Sequence, residues 1–444
     1  MAGFTSTVGQ LILLRELTAV FYGNELVFGL ILAGWLAWVA AGAWGLGPRL
    51  PTGKTPGASQ TVRNLRICMV TGLAASALFL PAEVALVRAS RSLLGVTPGA
   101  LVALTPMLLT IVISLAPLCL LLGWLFTLGA RWLSQEGGSV GGAYTAESLG
   151  AVLGGALFSL MLVRWLNPFQ VALGVSALSL GIATALLMQG QGVRDAREQA
   201  RGRLGRYGST LILVLVVAAL VVAAWPLGRA LHWTTLAWQY PGLRFARDSI
   251  YGRIAVTGNG EQRVFFENGL LFFETQGVSA EEVAHLPLLA HPAPRRVLLI
   301  GGGVSGTLAE ILRHPSVREV HYVEMDPLVV AAARSELPPD QAAPLDDPRV
   351  TLAHLDGRVY VRQQQSQSPF DVVILGLPEP ATGQLNRFYT QEFFAEVRAI
   401  LAPGGVFALS LPWQENYPGP ALQRLAASVA QTLAAEFPEL EPLP

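Results

Sequence analysis

Two folds follow one another in this chain: an α-helical membrane domain of about seven spans, then an α/β domain with a doubly wound, Rossmann-like parallel sheet and a small β-hairpin element before it. Three observations predict this. Of 444 residues 52% are hydrophobic and only 14% charged, a balance foreign to soluble chains, and the excess lies before residue 229. Beyond residue 292, short apolar runs alternate with helical segments, the pattern of a parallel sheet. Within that part, Arg296 to Asp326 reads strand, glycine loop, helix, strand. The boundaries follow as a membrane domain over 1–228, an aromatic linker over 229–248, a small β element with a lead-in helix over 249–292, and the sheet domain over 293–444.

Spanning the hydrocarbon of a bilayer takes about 20 helical residues. Segments of that kind lie near 4–22, 26–46, 67–87, 101–129, 143–163, 167–188 and 209–226. The first carries Gln10, Arg15 and Glu16, and charge at membrane depth is costly unless it is paired or faces protein or water. Arg15 and Glu16 read as contacts between helices, with Glu147 one candidate partner for Arg15; the competing reading is a transport or proton path. Gly150, Gly154 and Gly155 form a small-residue face for close helix packing.

The formal net charge of zero hides an asymmetry: residues 1–228 carry 14 basic against 7 acidic side chains, residues 229–444 carry 16 against 23. A basic nucleic-acid surface is not indicated, so no nucleic-acid partner is expected. The loops at 51–59 and 189–208, the second with Arg194, Arg197, Arg201, Arg203 and Arg206, share one side, which the positive-inside rule makes cytoplasmic. Seven spans then put residues 229–444 on the external face of the inner membrane. Against that stand Arg229, Arg244 and Arg247, and the cytoplasmic origin of nucleosides. Cys68 and Cys119 lie in apolar segments without metal-ligand spacing, and no metal is expected.

Trp225 just before the linker, and Trp233, Trp238 and Tyr240 within it, suit headgroup depth. Asn268-Gly269, between the strands Gln262 to Glu267 and Leu270 to Glu274, is a strong hairpin signal because both residues tolerate positive φ. In the sheet domain, Val297 to Ile300 is an unbroken apolar run, as a strand covered on both faces requires. Gly301, Gly302 and Gly303 follow without a Cβ, so a ligand can approach backbone N–H groups. Glu324 ends the second strand, placed to accept hydrogen bonds from ribose hydroxyls. The unit reads as a nucleoside site. Further strands run from Arg349 to Ala353, ending at Asp356-Gly357, from Asp371 to Leu375, leading to the loop Gly376 to Pro380, and from Val406 to Leu411. Asp326 reads as the cap of a helix beginning at Pro327. Glu267 and Glu274 read as solvated strand residues, and His285 as a packed or capping histidine rather than a base.

With these motifs in view, residues 249–444 resemble the spermidine synthase family of aminopropyltransferases, and the whole chain resembles its membrane-fused bacterial branch. SIYGRI at 249–254, FFENGL at 265–270, EEVAHLPLL at 281–289 and NRFYTQEFF at 386–394 carry the first likeness. GNELVFGLILAGW at 23–35 and YTAESLGAVLGG at 144–155 carry the second. The resemblance implies an S-adenosylmethionine-methyltransferase-type sheet, decarboxylated S-adenosylmethionine or S-adenosylmethionine as co-substrate, methylthioadenosine as product, a small-molecule amine as acceptor, and a homodimer. It puts Gly301, Gly302 and Gly303 against the nucleoside, Glu324 on ribose, and Asp356 with Gly357 at adenine. The family's sheet also has two more strands after the last helix, so a chain ending at Pro444 reads as incomplete or as having a covered edge.

Aminopropyl transfer is an in-line displacement at carbon beside a sulfonium, and the attacking amine must first lose a proton to a base. The family's aspartate for this task is Gly376 here, and the second acid of that loop is Glu379. Its glycine-loop aspartate is Val304 and its hairpin glutamine is Gly252. Each change removes an acceptor for a cationic group. Glu379 and Tyr389 remain as candidate catalytic residues. Three readings stay open: a divergent transferase or ligand-binding subunit, an active aminopropyltransferase using Glu379, and a transporter or membrane-complex subunit with a regulatory C-terminal domain.

Overall fold

The computed structural model describes residues 2–46, 58–135, 137–191, 202–413 and 419–442. The chain divides into two compact units, Met1–Pro241 with Asn268–Leu270, and Gly242–Glu267 with Leu271–Pro444.

The first unit is helical. Its long helices are Ala2–Phe21, Glu25–Ala41, Ala58–Leu93, Leu104–Gln135, Val140–Leu157, Pro168–Gln191 and Gly202–Gln239. Six described stretches are long and apolar enough to cross a membrane: Glu25–Gly45, Val62–Leu93, Leu104–Gln135, Val140–Trp165, Pro168–Met188 and Leu211–Gln239. The segment expected at 4–22 does form a helix but is not one of these six, because Gln10, Arg15, Glu16 and a Thr-Ser-Thr run at 5–7 dilute its apolar content. It instead buries Val8, Ile12, Leu13, Leu17 and Val20 in the bundle core. Gly154 packs against it, since a Cβ there would lie 3.1 Å from the Phe4 carbonyl oxygen.

Glu16 pairs with Arg88. Arg88 Nη2 lies 2.7 Å from Oε1 and Nε 2.8 Å from Oε2, a bidentate pair with both side chains fully buried. Arg88 also donates to Thr235 Oγ1 at 2.9 Å and the His232 carbonyl at 3.1 Å, so its charge is met by several polar partners. The expected Arg15–Glu147 contact does not form. Glu147 lies against Gly3, twelve residues up the helix from Arg15, or about 18 Å at 1.5 Å per residue.

The expected linker at 229–248 is the end of helix Gly202–Gln239 followed by a strand. Pro226 does not stop this helix, whose later turns bury His232, Thr235, Leu236 and Gln239. Packing outweighs the one backbone hydrogen bond a proline removes. The loop expected over 51–59 lies, up to residue 57, outside the described residues, as do Arg194, Arg197 and Arg201.

The second unit opens with an antiparallel sheet of β1 (Leu243–Asp248), β2 (Arg253–Asn259), β3 (Gln262–Glu267) and β4 (Leu270–Glu274), in that order. Asn268 at φ +47° and Gly269 at φ +83° make the β3–β4 turn, with the handedness a two-residue hairpin prefers. After the helix Ser279–Ala290 come β5 (Arg296–Ile300), β6 (Glu319–Val323), β7 (Val350–Ala353), β8 (Phe370–Leu375) and β9 (Leu401–Leu409). They form one parallel sheet, ordered β7-β6-β5-β8-β9. In β5, Val297 and Leu299 enter one hydrophobic core, and Leu298 and Ile300 the other. Both faces are therefore covered, and each buried side chain contributes about 1.5–3 kcal/mol relative to exposure. Strand order reverses between β5 and β8, and a ligand crevice in such a sheet opens at the carboxyl ends of these two strands.

Candidate functional site

At that switch point the glycine loop leaves β5. Gly301 and Gly302 take φ of +72° and +69°, which a side chain resists, and Gly303 begins a tight 3-10 turn to Ser305. Gly301 N–H donates to Val323 O and Gly376 N–H to Ile300 O, both at 2.9 Å, so the ends of β6, β5 and β8 are stitched together. The two loops touch backbone to backbone. A Cβ on Gly302 would lie 2.7 Å from Gly376 O, and a Cβ on Gly376 would lie 2.7 Å from Gly301 O. Val304, where the resemblance has an acid, is buried in the apolar core with Leu308.

Glu324 follows β6. Its Oε2 accepts the Tyr322 hydroxyl at 3.0 Å, and its Oε1 lies 3.4 Å from the Asp326 amide. Burial pushes its pKa up to about 7, with the Tyr322 and Asp326 hydrogen bonds pulling the other way. Asp326 caps the helix Pro327–Glu336 through Leu328 N–H at 2.9 Å, and its second oxygen takes the Ser249 hydroxyl at 2.6 Å. Ser249 also organises the turn at Gly252, whose amide it accepts at 3.2 Å. The β1–β2 turn is thereby tied to the acidic end of β6.

Glu267, at the end of β3, is only partly exposed, and burial first, then the Glu324 and Asp326 charges, push its pKa up to about 7. It is therefore not the solvated strand residue its sequence context indicates. Phe265 and Phe266 are both buried, so alternation along β3 names no outer face; the usable signal is that Glu267 is in phase with core-facing Phe265. Glu274 is exposed.

Asp356 caps the helix Gly357–Gln364, one oxygen accepting Arg358 N–H at 3.0 Å and Val359 N–H at 3.2 Å. The other pairs with Arg387, whose guanidinium also stacks over the Phe388 ring 4.8 Å from its centroid. Gly357 is there for want of room: a Cβ would come 2.5 Å from Ile300 Cγ2. Arg387 carried no signal in the sequence beyond its place in NRFYTQEFF.

Glu379 is exposed in the loop after β8. Buried Tyr389 braces that loop, donating to Pro378 O at 2.9 Å; burial and then the nearby Glu379 carboxylate raise its phenol pKa far beyond the ordinary range. His285 joins a separate cluster, with Nδ1 2.8 Å from His314 Nε2 and Nε2 3.2 Å from Glu310 Oε2. Among the described residues no three His, Cys, Asp or Glu side chains are grouped to hold a metal ion. The site thus gathers Gly301, Gly302, Gly303, Glu324, Asp356 and Gly357 around the carboxyl ends of β5 and β6, with Glu267 and Asp326 close to Glu324.

Known proteins are similar to the second unit of the chain. The spermine/spermidine synthase domain family matches residues 277–432. A polyamine aminopropyltransferase of Thermotoga maritima is 40% identical over 128 residues, 29% of this chain and 42% of that protein. Polyamine aminopropyltransferase 1 of Streptomyces coelicolor is 32% identical over 295 residues, 63% of this chain and 53% of that protein. A crystal structure of spermidine synthase with the transition state analogue AdoDATO shows 30% identity, covering 44% of this chain and 66% of that one, at a TM-score of 0.40. The chain spans about half the length of these curated relatives. The family match comes to one statement: residues 277–432, which hold the glycine loop and the acidic end of β6, match the spermine/spermidine synthase domain.

Proposed function

We propose that this is an integral membrane protein whose synthase domain binds an adenosyl-sulfonium nucleoside, decarboxylated S-adenosylmethionine or S-adenosylmethionine, and has replaced ordinary polyamine chemistry with a divergent transfer or with ligand binding alone. Six apolar helices among the described residues support insertion in a bilayer. The similarity to polyamine aminopropyltransferases and the acidic end of β6 support the nucleoside.

One observation carries the divergence: Gly376 is pressed on the glycine loop, with 2.7 Å from its would-be Cβ to Gly301 O. In aminopropyl transfer the amine nitrogen forms a bond to the carbon beside sulfur, the C–S pair leaves on sulfur, and the amine proton passes to a base. No carboxylate fits at position 376 to take that proton unless two backbones part. Glu379, exposed beside Tyr389, favours a second reading, in which it serves as base for an acceptor arriving from solvent. Of the three charged residues that favour a transport role, Arg15, Glu16 and Glu147, Glu16 is paired with Arg88.

The test is a product assay on full-length protein in detergent, with decarboxylated S-adenosylmethionine and putrescine. No spermidine is expected. Turnover abolished in Glu379→Gln would establish the second reading instead.

A further inference from the structure

Tyr322 is a fully buried polar side chain beside the glycine loop. It lies in β6, two residues before Glu324, fully buried in the core that also takes Val320. Its ring lies against the glycine loop: a Cβ on Gly303 would come 2.6 Å from Cζ and 2.7 Å from Cε2. The third glycine is therefore required by Tyr322 as well as by any ligand. The phenol donates to Glu324 Oε2 at 3.0 Å. A buried hydroxyl with one acceptor in reach has one place to send its proton.

We infer that Tyr322 is a positioning residue for the nucleoside, holding the Glu324 carboxylate oriented and ionised for the ribose hydroxyls. This rests on the nucleoside reading of the site given above.

The groups facing Glu324 make the role specific. Glu267 from β3 and Asp326 from the following turn are acidic and disfavour its negative charge. His354 reaches only its backbone carbonyl, at 3.0 Å. The Asp326 amide is a long donor at 3.4 Å and the Met325 amide also favours the carboxylate, with the Tyr322 hydroxyl the strongest of the three. Burial raises the phenol's own pKa well above its ordinary value, so it stays a donor wherever Glu324 titrates. An ionised Glu324 accepts two ribose hydroxyls; a protonated one accepts them poorly. Nucleoside affinity should therefore rise with pH through the Glu324 midpoint near 7.

The experiment is equilibrium binding of methylthioadenosine to the full-length protein in detergent between about pH 5 and pH 9, for wild type, Tyr322→Phe and Glu324→Gln. Phenylalanine keeps the ring against Gly303. Tyr322→Phe should weaken binding about tenfold at neutral pH and move the midpoint up by about one unit, while Glu324→Gln should remove that midpoint. An equal loss at every pH, with the midpoint unmoved, would mean that Tyr322 only packs, and would overturn the inference. Infrared titration of the unliganded protein gives a readout independent of the nucleoside. The carboxyl band that Glu324→Gln deletes should titrate higher in Tyr322→Phe; an unshifted band overturns the inference. Absence of binding by wild type would overturn the nucleoside reading, and this inference with it.

Discussion

Arg387 closes on the same Asp356 carboxylate that caps the helix Gly357–Gln364, so neither oxygen of Asp356 is idle. On the proposed nucleoside reading, the oxygen Arg387 takes is the one left to meet an adenine amino group, and a nucleoside must compete for it. Partial exposure limits the strength of this pair to about 0.5–1 kcal/mol. Arg387→Gln should therefore tighten methylthioadenosine binding about two- to fivefold, read by calorimetry. Weaker binding in the variant would instead make Arg387 part of the ligand site.

Restoring the family's aspartate should fail. Gly376→Asp puts a Cβ 2.7 Å from Gly301 O, an atom that cannot rotate away. The expected outcome is a loss of stability of about 1–3 kcal/mol in denaturant unfolding and no gain of spermidine synthesis. Full stability together with new activity would show that the two loops part easily.

Glu267 ties the site to pH. Its folded pKa, near 7, lies above the ordinary value of 4.5. A carboxyl raised in the folded state contributes stability below its unfolded pKa and loses it as pH rises through the folded one. That contribution is fully present below about 4.5, declines between there and 7, and is gone above. Glu267→Gln should therefore be more stable than wild type at pH 8, with the difference shrinking toward pH 5 in urea titrations of the two proteins. A difference independent of pH would contradict the shift.

In the helical unit, Glu16→Gln or Arg88→Met leaves one buried charge without its partner and should cost about 3–5 kcal/mol, visible as a lower melting temperature in detergent. Glu16→Leu combined with Arg88→Met should recover much of that loss. A double variant no better than the singles would show that the Thr235 and His232 contacts of Arg88 matter more than its charge partner.

Features built from one local rule were legible in the sequence. The apolar run Val297 to Ile300, the Asn268-Gly269 turn and the Asp326 cap before Pro327 each appear where composition and spacing put them. Features made by long-range packing were not. Gly376 reads as a lost catalytic acid, and only the fold shows that it meets Gly301 across two strands. Tyr322 reads as one more strand residue until its hydroxyl is seen on Glu324. Glu16 and Arg88 are separated by 72 residues, a pairing that hydropathy along the chain does not encode. Pro226 and the aromatic residues near it suggest a linker, whereas burial of Leu236 and Tyr240 continues the helical unit through them.

The central claim is that this domain still holds an adenosyl nucleoside by its ribose and base. Calorimetric titration of the full-length protein in detergent with methylthioadenosine tests it most directly, wild type beside Glu324→Ala. The account predicts saturable one-to-one binding by wild type and its loss in the variant. No saturable heat with wild type, or equal binding by Glu324→Ala, would contradict it.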